Sequence, residues 1–221
     1  MKPLLMQSLP NSGSTWLAQV IADQLDLRYA MEFFNPARNQ RYEELLATQF
    51  GTELISCYRN IATAGDSNID NVIAETWGKS EFNFTKEVFS PFKTAVFAKH
   101  FKVFVLLRSA AETFPPYRPR IWAFYEHGWF ALRAKGVPVY STNMRDRAYE
   151  AHAIMAKQIR MDAALLDLPV IEYEELFQSD ETMRLRLQAA LGQVPKALVE
   201  TVKRTRAHAV RAEVPDRASA S

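Results

Sequence analysis

Cysteine is close to absent: Cys57 is the only one among 221 residues. No intrachain disulfide can form, and a metal–thiolate cluster is not expected. His127, His152 and His208 lack metal-ligand spacing, and His100 reads as the cation that closes a helix. Long apolar runs are missing as well, since none approaches the roughly 20 residues of a membrane span. Lys2 precedes only a short apolar run that Pro10 ends, which does not read as a signal peptide. These absences predict a cytoplasmic chain without membrane contact. An excess of one charge is also lacking: 27 Lys and Arg stand against 25 Asp and Glu, for a net charge of +2. That balance is too mild to indicate nucleic acid as a partner. There is no internal repeat, and no Gly-Lys-Ser/Thr of the kind that closes a Walker A loop.

What is present is enough apolar material, 48%, for one domain with a sizeable core. The reading is a single domain over residues 1–208, with 209–221 as a tail. Its most informative segment is the start. Leu4 to Leu9 reads as a buried strand, Pro10 to Ser14 as a tight turn, and Leu17, Val20, Ile21 and Leu25 as the inner stripe of a helix. Strand, small-residue turn and helix N-terminus together make an anion site, where free backbone N–H groups and the helix dipole converge. Gly13 lets the backbone come close to a ligand, and Ser12, Ser14 and Thr15 add hydroxyl donors.

Further along, Arg28 to Pro36 reads as a connecting segment. Residues 40–61 read as helical, with Tyr42, Leu45, Leu46, Leu54, Cys57 and Ile61 inward and a break at Gly51. Residues 68–77 form a helix capped by Ser67. Phe82 to Val88 alternates like a strand, Ser90-Pro91 starts a helix, and Val103 to Leu107 is a run suited to a strand buried on both faces. Residues 82–107 thus form one β-α-β unit, expected to cross over right-handed. Arg108 ends that strand. An aromatic- and proline-rich segment follows, Ser109 to Phe130. Then come a helix over about 145–166, a short strand at Leu168 to Glu172, a helix capped by Asp180 and running to Leu191, and a last helical piece from Lys196 to about His208. The pairs Glu43/Glu44 and Glu174/Glu175 read as solvated faces. The fold class is therefore α/β, a mainly parallel central sheet flanked by helices. Asn11 to Trp16, Lys86, Glu87 and Arg108 all fall at carboxyl ends of strands, where such sheets bind ligands.

Pro10-Asn11-Ser12-Gly13-Ser14-Thr15-Trp16 resembles the phosphosulfate-binding loop of sulfotransferases that use 3′-phosphoadenosine 5′-phosphosulfate (PAPS), usually Pro-Lys/Arg-Ser-Gly-Thr/Ser-Thr-Trp/Leu. Six of seven positions fit; Asn11 stands where the family has a cation. Val103 to Arg108 resembles the family's strand whose terminal Arg contacts the 3′-phosphate, although Pro116 occupies the place of the Ser expected eight residues on. Ser109, Thr113 and Arg118 are the candidates to replace it. Val170 to Leu176 is similar to the family's late strand and turn. Phe84 to Glu87 resembles the strand end that carries a Lys, with Val88 where phenol- and steroid-type members have a His. Met31 to Pro36 resembles the segment in which bacterial and carbohydrate-type members carry a Glu.

The resemblance implies a fold of the P-loop nucleotide-binding type and sulfuryl transfer from PAPS, with 3′-phosphoadenosine 5′-phosphate (PAP) as product, to the hydroxyl or amine of a small-molecule or carbohydrate acceptor. Asn11, Ser12, Gly13, Ser14, Thr15, Trp16 and Arg108 would hold the donor. Lys86 would offset charge on the leaving group, Glu32 is the first candidate for the base and Glu87 the second. No metal is expected. A small P-loop kinase and a nucleotide-binding protein of weak or lost chemistry are the alternatives.

Overall fold

Strands that are apolar on both faces must be covered on both faces, and this chain meets that demand with one parallel sheet between two layers of helix. The computed structural model describes residues 2–34, 66–88, 92–114 and 119–212. Its strands are β1 (Leu4–Ser8), β2 (Tyr29–Met31), β3 (Phe84–Glu87), β4 (Lys102–Leu107) and β5 (Val170–Glu172). They lie in the order β2-β3-β1-β4-β5, and every pairing is parallel. The mainly parallel α/β sheet expected from the sequence is what the chain forms. β1 and β4 occupy the middle, as their composition requires: Leu5, Met6 and Phe104 to Leu107 are fully shielded from solvent.

The helices are α1 (Ser14–Leu25), α2 (Asp66–Trp77), α3 (Thr94–His100), the single turn α4 (Ala110–Thr113), α5 (Pro119–Ala134), α6 (Met144–Leu165), α7 (Asp180–Leu191) and α8 (Lys196–Ala212). A 3-10 turn covers Tyr173–Phe177. Alternation along the strands decides which layer meets which side chain. Met6, Phe84, Phe104 and Leu106 meet Leu17, Ile21, Leu187 and Val202 from α1, α7 and α8. On the opposite face Leu5 and Val103 meet α2 and α3, while Val105 and Leu107 meet α5 and α6.

Several expected boundaries move, each for a local reason. β2 lies inside the segment read as a connection; three residues are too few to show alternation, and Tyr29 to Met31 pairs with β3 through register alone. Strands β3 and β5 are shorter than read. Ser90-Pro91 lies outside the described residues, and α3 begins only at Thr94, after Lys93. Ser67 sits inside α2 rather than ahead of it. Ser179, not Asp180, caps α7: its hydroxyl accepts from Thr182 N. The aromatic segment contains a full helix, α5, that its prolines concealed. The final helix runs to Ala212, four residues past the expected end. The expected helix over 40–61 and Cys57 lie outside the described residues. β3 and β4 are parallel but β1 stands between them, so the β-α-β unit spans an intervening strand.

One carboxylate fixes the connection between α5 and α6. Glu150 accepts from Trp129 Nε1 at 2.7 Å and from the backbone N–H groups of Tyr140 and Ser141 at 2.9 Å each. Burial alone would raise its pKa, but these donors outweigh it and hold the carboxyl at about 2. A depressed carboxyl stabilises the fold above its unfolded pKa and loses that contribution as pH falls through the folded value. Glu150→Gln is therefore expected to lower stability at pH 7 by about 1–2 kcal/mol, read as a lower midpoint in urea, with the gap to wild type closing as pH falls towards about 2.

Candidate functional site

β1 ends at Ser8, and the chain turns through Leu9 to Gly13 into α1. Two residues of this turn have left-handed backbone, Asn11 at φ 61 and Gly13 at φ 80. Asn is among the few side-chain-bearing residues that tolerate such a conformation. Its amide Nδ2 donates to Thr113 O at 2.7 Å, so Asn11 pins the loop to α4. Tyr125 pins it from α5, donating from its hydroxyl to Pro10 O at 2.9 Å. Burial pushes the Tyr125 phenol above its ordinary pKa, which keeps it a donor.

Gly13 has a second reason to be glycine. A Cβ placed there would lie 2.3 Å from Tyr173 Cε2. The ring of Tyr173 thus lies directly on the loop backbone. On the same ring sits Arg108, its guanidinium carbon 4.5 Å from the centroid. Arg108 Nη1 donates to Asn11 O at 3.4 Å, and Nη2 to Glu112 Oε2 at 3.3 Å. Loop, strand end and 3-10 turn are therefore locked together around one guanidinium. Ser109 Oγ caps α4 by accepting from Glu112 N, and its N–H donates to Glu174 Oε1 at 2.9 Å. Thr113 Oγ1 lies 3.5 Å from His152 Nε2. Both hydroxyls weighed as replacements for the missing 3′-phosphate Ser are thus engaged within the fold. Pro116 and Arg118 lie outside the described residues.

Polar atoms are left over at the mouth of this loop. Ser8 Oγ, Ser12 Oγ and Arg108 Nε are buried without a hydrogen-bond partner among the described residues. Ser8 and Ser12 are each 1% exposed. Buried donors of this kind cost free energy unless something accepts from them. α1 begins immediately beyond, and the N–H groups of its first turn have no intrahelical acceptor. Gly13 supplies no side-chain cap. Ser14 is buried and Thr15 exposed. The arrangement can hold an anion with backbone N–H groups, hydroxyls and one guanidinium. Trp16 is half-buried and lies against Phe177, with ring centroids 6.4 Å apart, so its ring packs on the 3-10 turn.

A second polar cluster forms at the carboxyl end of β3, beside β1, where Lys86 is level with Met6 and Glu87 with Gln7. Lys86 Nζ is 2.9 Å from Glu32 Oε1, and both side chains are under 10% exposed. Glu32 follows β2 and has left-handed backbone at φ 54. Glu87 is buried and accepts through Oε1 from Phe34 N and Thr85 Oγ1, each at 3.1 Å. Burial pushes its carboxyl up to about 8, against those two donors; nearby Glu32 adds to the rise and Lys86 opposes it. The three residues assigned to catalysis from the sequence are thus brought into one group.

Other assignments resolve as packing. His152 is buried, and desolvation lowers its pKa to about 4, so it is neutral. His100 ends α3 and pairs with Asp70 at 2.9 Å. Glu174 and Glu175, read as a solvated face, are half-buried turn ligands; Glu175 accepts from Arg186 and from Glu172 N. Tyr125 and Trp129 belong to the core, whereas Phe114, Trp122, Met144 and Arg145 line an open pocket of about 360 Å³. Sequence reasoning gave no site role to Ser8, Thr85 or Tyr173. A glycine at the one point where a later aromatic must pass was the available signal for Tyr173.

No protein-family model matches the chain, and no curated protein does. Among solved structures it is similar to a shikimate kinase from Bacteroides thetaiotaomicron, with 10% identity, a TM-score of 0.40, and coverage of 94% of this chain and 97% of that one. A shikimate kinase from Acinetobacter baumannii in complex with shikimate is similar at 10% identity and a TM-score of 0.39, covering 97% of each chain.

Two outcomes follow from the geometry. Gly13→Ala forces a Cβ into the Tyr173 ring at a left-handed position, and is expected to lower stability by at least about 1 kcal/mol, measured by urea unfolding. A carboxyl whose folded pKa is raised destabilises the fold as pH climbs from its unfolded pKa, 4.5, to about 8. Stability should fall across that interval in wild type, and Glu87→Gln should flatten the fall, as thermal unfolding at a series of pH values will show.

Proposed function

We propose that this chain is a nucleotide-dependent transferase that seats the phosphate groups of its donor on residues 10–16, and that the donor is PAPS. The observation that carries the proposal is the set of buried donors at the loop that have no partner among the described residues, Ser8 Oγ, Ser12 Oγ and Arg108 Nε, around the open N-terminus of α1. They call for a multiply charged oxyanion. No lysine follows Gly13, so the loop lacks the cation that a Walker A motif directs at a β/γ-phosphate. A lysine does stand at the carboxyl end of the strand beside β1: Lys86 of β3, level with Met6.

In this reading the loop N–H groups, with Ser12, Ser14 and Thr15, hold the 5′-phosphosulfate, and Arg108 supports the 3′-phosphate. The acceptor oxygen attacks sulfur in line as the bond from sulfur to the 5′-phosphate oxygen breaks. Lys86 turns its ammonium towards the leaving oxygen, and Glu32 takes the acceptor proton. PAP and the sulfated acceptor are the products. Catalysis is then mainly positioning and charge stabilisation, by analogy with phosphoryl transfer. The acceptor is a small molecule or carbohydrate. The rival reading is a small P-loop kinase, the activity named for the two similar solved structures.

Calorimetric titration separates the two. PAP is expected to bind wild type and to lose at least tenfold in affinity in Arg108→Ala, about 1.4 kcal/mol. ATP with magnesium is expected to give little heat. Binding of magnesium–ATP without PAP would instead establish the kinase reading, and binding of neither would sink both.

A further inference from the structure

The turn that carries Glu32 is held in an unusual way. Three successive backbone N–H groups, those of Glu32, Phe33 and Phe34, are each caught by a different group of β3. Glu32 N donates to Lys86 O at 3.0 Å, Phe33 N to Thr85 Oγ1 at 3.3 Å, and Phe34 N to Glu87 Oε1 at 3.1 Å. The Thr85 hydroxyl in turn donates to Glu87 Oε1 at 3.1 Å. Left-handed backbone at a glutamate persists only where the surroundings over-determine it, and these bonds do so. Their result is that the Glu32 carboxylate meets the Lys86 ammonium at 2.9 Å in a site nearly closed to solvent.

We propose that Thr85 and Glu87 are positioning residues of the transfer site, clamping the 32–34 turn to β3 so that Glu32 and Lys86 stay aligned at the end of the sheet. The proposal rests on the transferase reading for its chemistry and on the hydrogen bonds alone for its geometry. It also explains why a carboxyl, rather than a simple hydroxyl, sits among apolar neighbours. Among the described residues, the charged groups facing Glu87 are Glu32 from the turn and Lys86 from its own strand. The cluster packed around Phe33 and Phe34 brings apolar side chains from α2 and α3, among them Ile73, Trp77, Val96 and Phe97. While Glu87 keeps its proton, Glu32 is the counter-charge that Lys86 meets among the described residues. Once Glu87 ionises, near pH 8, its charge repels the Glu32 carboxylate and draws on Lys86, which loosens the pair. Glu87 thereby sets an alkaline limit on a pair it does not belong to.

The test is PAP affinity by calorimetry from pH 6 to 9.5, with the Lys86 ammonium resonance followed in parallel by ¹H–¹⁵N NMR and assigned through Lys86→Arg. In wild type, affinity is expected to fall at least fivefold between pH 7 and 9.5, and the ammonium signal to fade over the same range. Glu87→Ala and Thr85→Val should weaken binding about tenfold at pH 7 and broaden the signal. Glu87→Gln, which retains an acceptor for Phe34 N but cannot ionise, should rescue binding relative to Glu87→Ala and abolish the alkaline fall. Thr85→Ser should rescue relative to Thr85→Val. An alkaline fall in Glu87→Gln equal to that of wild type, or an unchanged Lys86 signal in Glu87→Ala, would overturn the proposal. Absence of PAP binding in wild type itself would refute the donor reading, and the NMR series would then decide the positioning role by itself.

Discussion

The close approach of the Tyr173 ring to the backbone of Gly13 is the constraint on which the site depends. It needs a residue without a side chain at a left-handed position, and it needs the 3-10 turn after β5 to reach across to the loop after β1. Those two segments are about 160 residues apart in the chain, yet the ring spans them and carries Arg108 on its face. Remove the contact and the guanidinium loses its platform, while the loop loses one of the surfaces that define its path. Tyr125 and Asn11 restrain the same loop from α5 and α4, so its conformation is set by three elements. A loop fixed in this way can present hydroxyls that have no partner among the described residues, because its Pro10 and Asn11 carbonyls are held by Tyr125 and Arg108.

The second cluster obeys a different logic. A buried ion pair adds little net stability, since desolvation offsets most of the Coulomb attraction. Lys86 and Glu32 are therefore not explained by stability. Their cost is accepted at the carboxyl end of the sheet, on the strand next to the loop. Parallel α/β proteins gather their ligand-binding groups at that edge. Neighbouring Glu87 adds a further cost by remaining inside the apolar cluster of Phe33 and Phe34. Strained backbone at Glu32 is the third such departure from the most stable choice. Local rules broken together at one place mark where a fold serves something other than its own stability.

Much of this architecture was legible in the sequence because periodicity and turn chemistry report on local structure. β1, the glycine turn and α1 were readable from residues 4–25, and β4 from an unbroken apolar run. The helix over 144–165 was readable from its length. What the sequence concealed was of two kinds. β2 is defined by its partner and not by its own pattern, and α5 opens on Pro119 in a proline-rich stretch that does not read as helix. The site divides similarly. Residue types at strand ends pointed to Ser12, Gly13, Lys86, Glu87 and Arg108. That Glu32 pairs with Lys86, that the Asn11 side chain turns away to Thr113, and that Thr85 secures the neighbouring turn are long-range facts. They join segments some fifty to a hundred residues apart in the chain, which no local pattern encodes.

The shape of the sheet has a bearing on how this protein behaves in a crowded solution. Among the described residues its border strands, β2 and β5, are only three residues long, while the longest strands, β1 and β4, lie inside. An exposed strand edge is a template for pairing with other chains, and its hazard grows with the length of unpaired backbone it offers. Here β5 passes at once into the 3-10 turn, where Glu172 and Glu175 bind each other's backbone N–H groups, and β2 bends away at Glu32. Among the described residues each border thus ends before a second molecule could add more than a short rung, so the turns at Glu32 and Glu172 also blunt the edges against pairing.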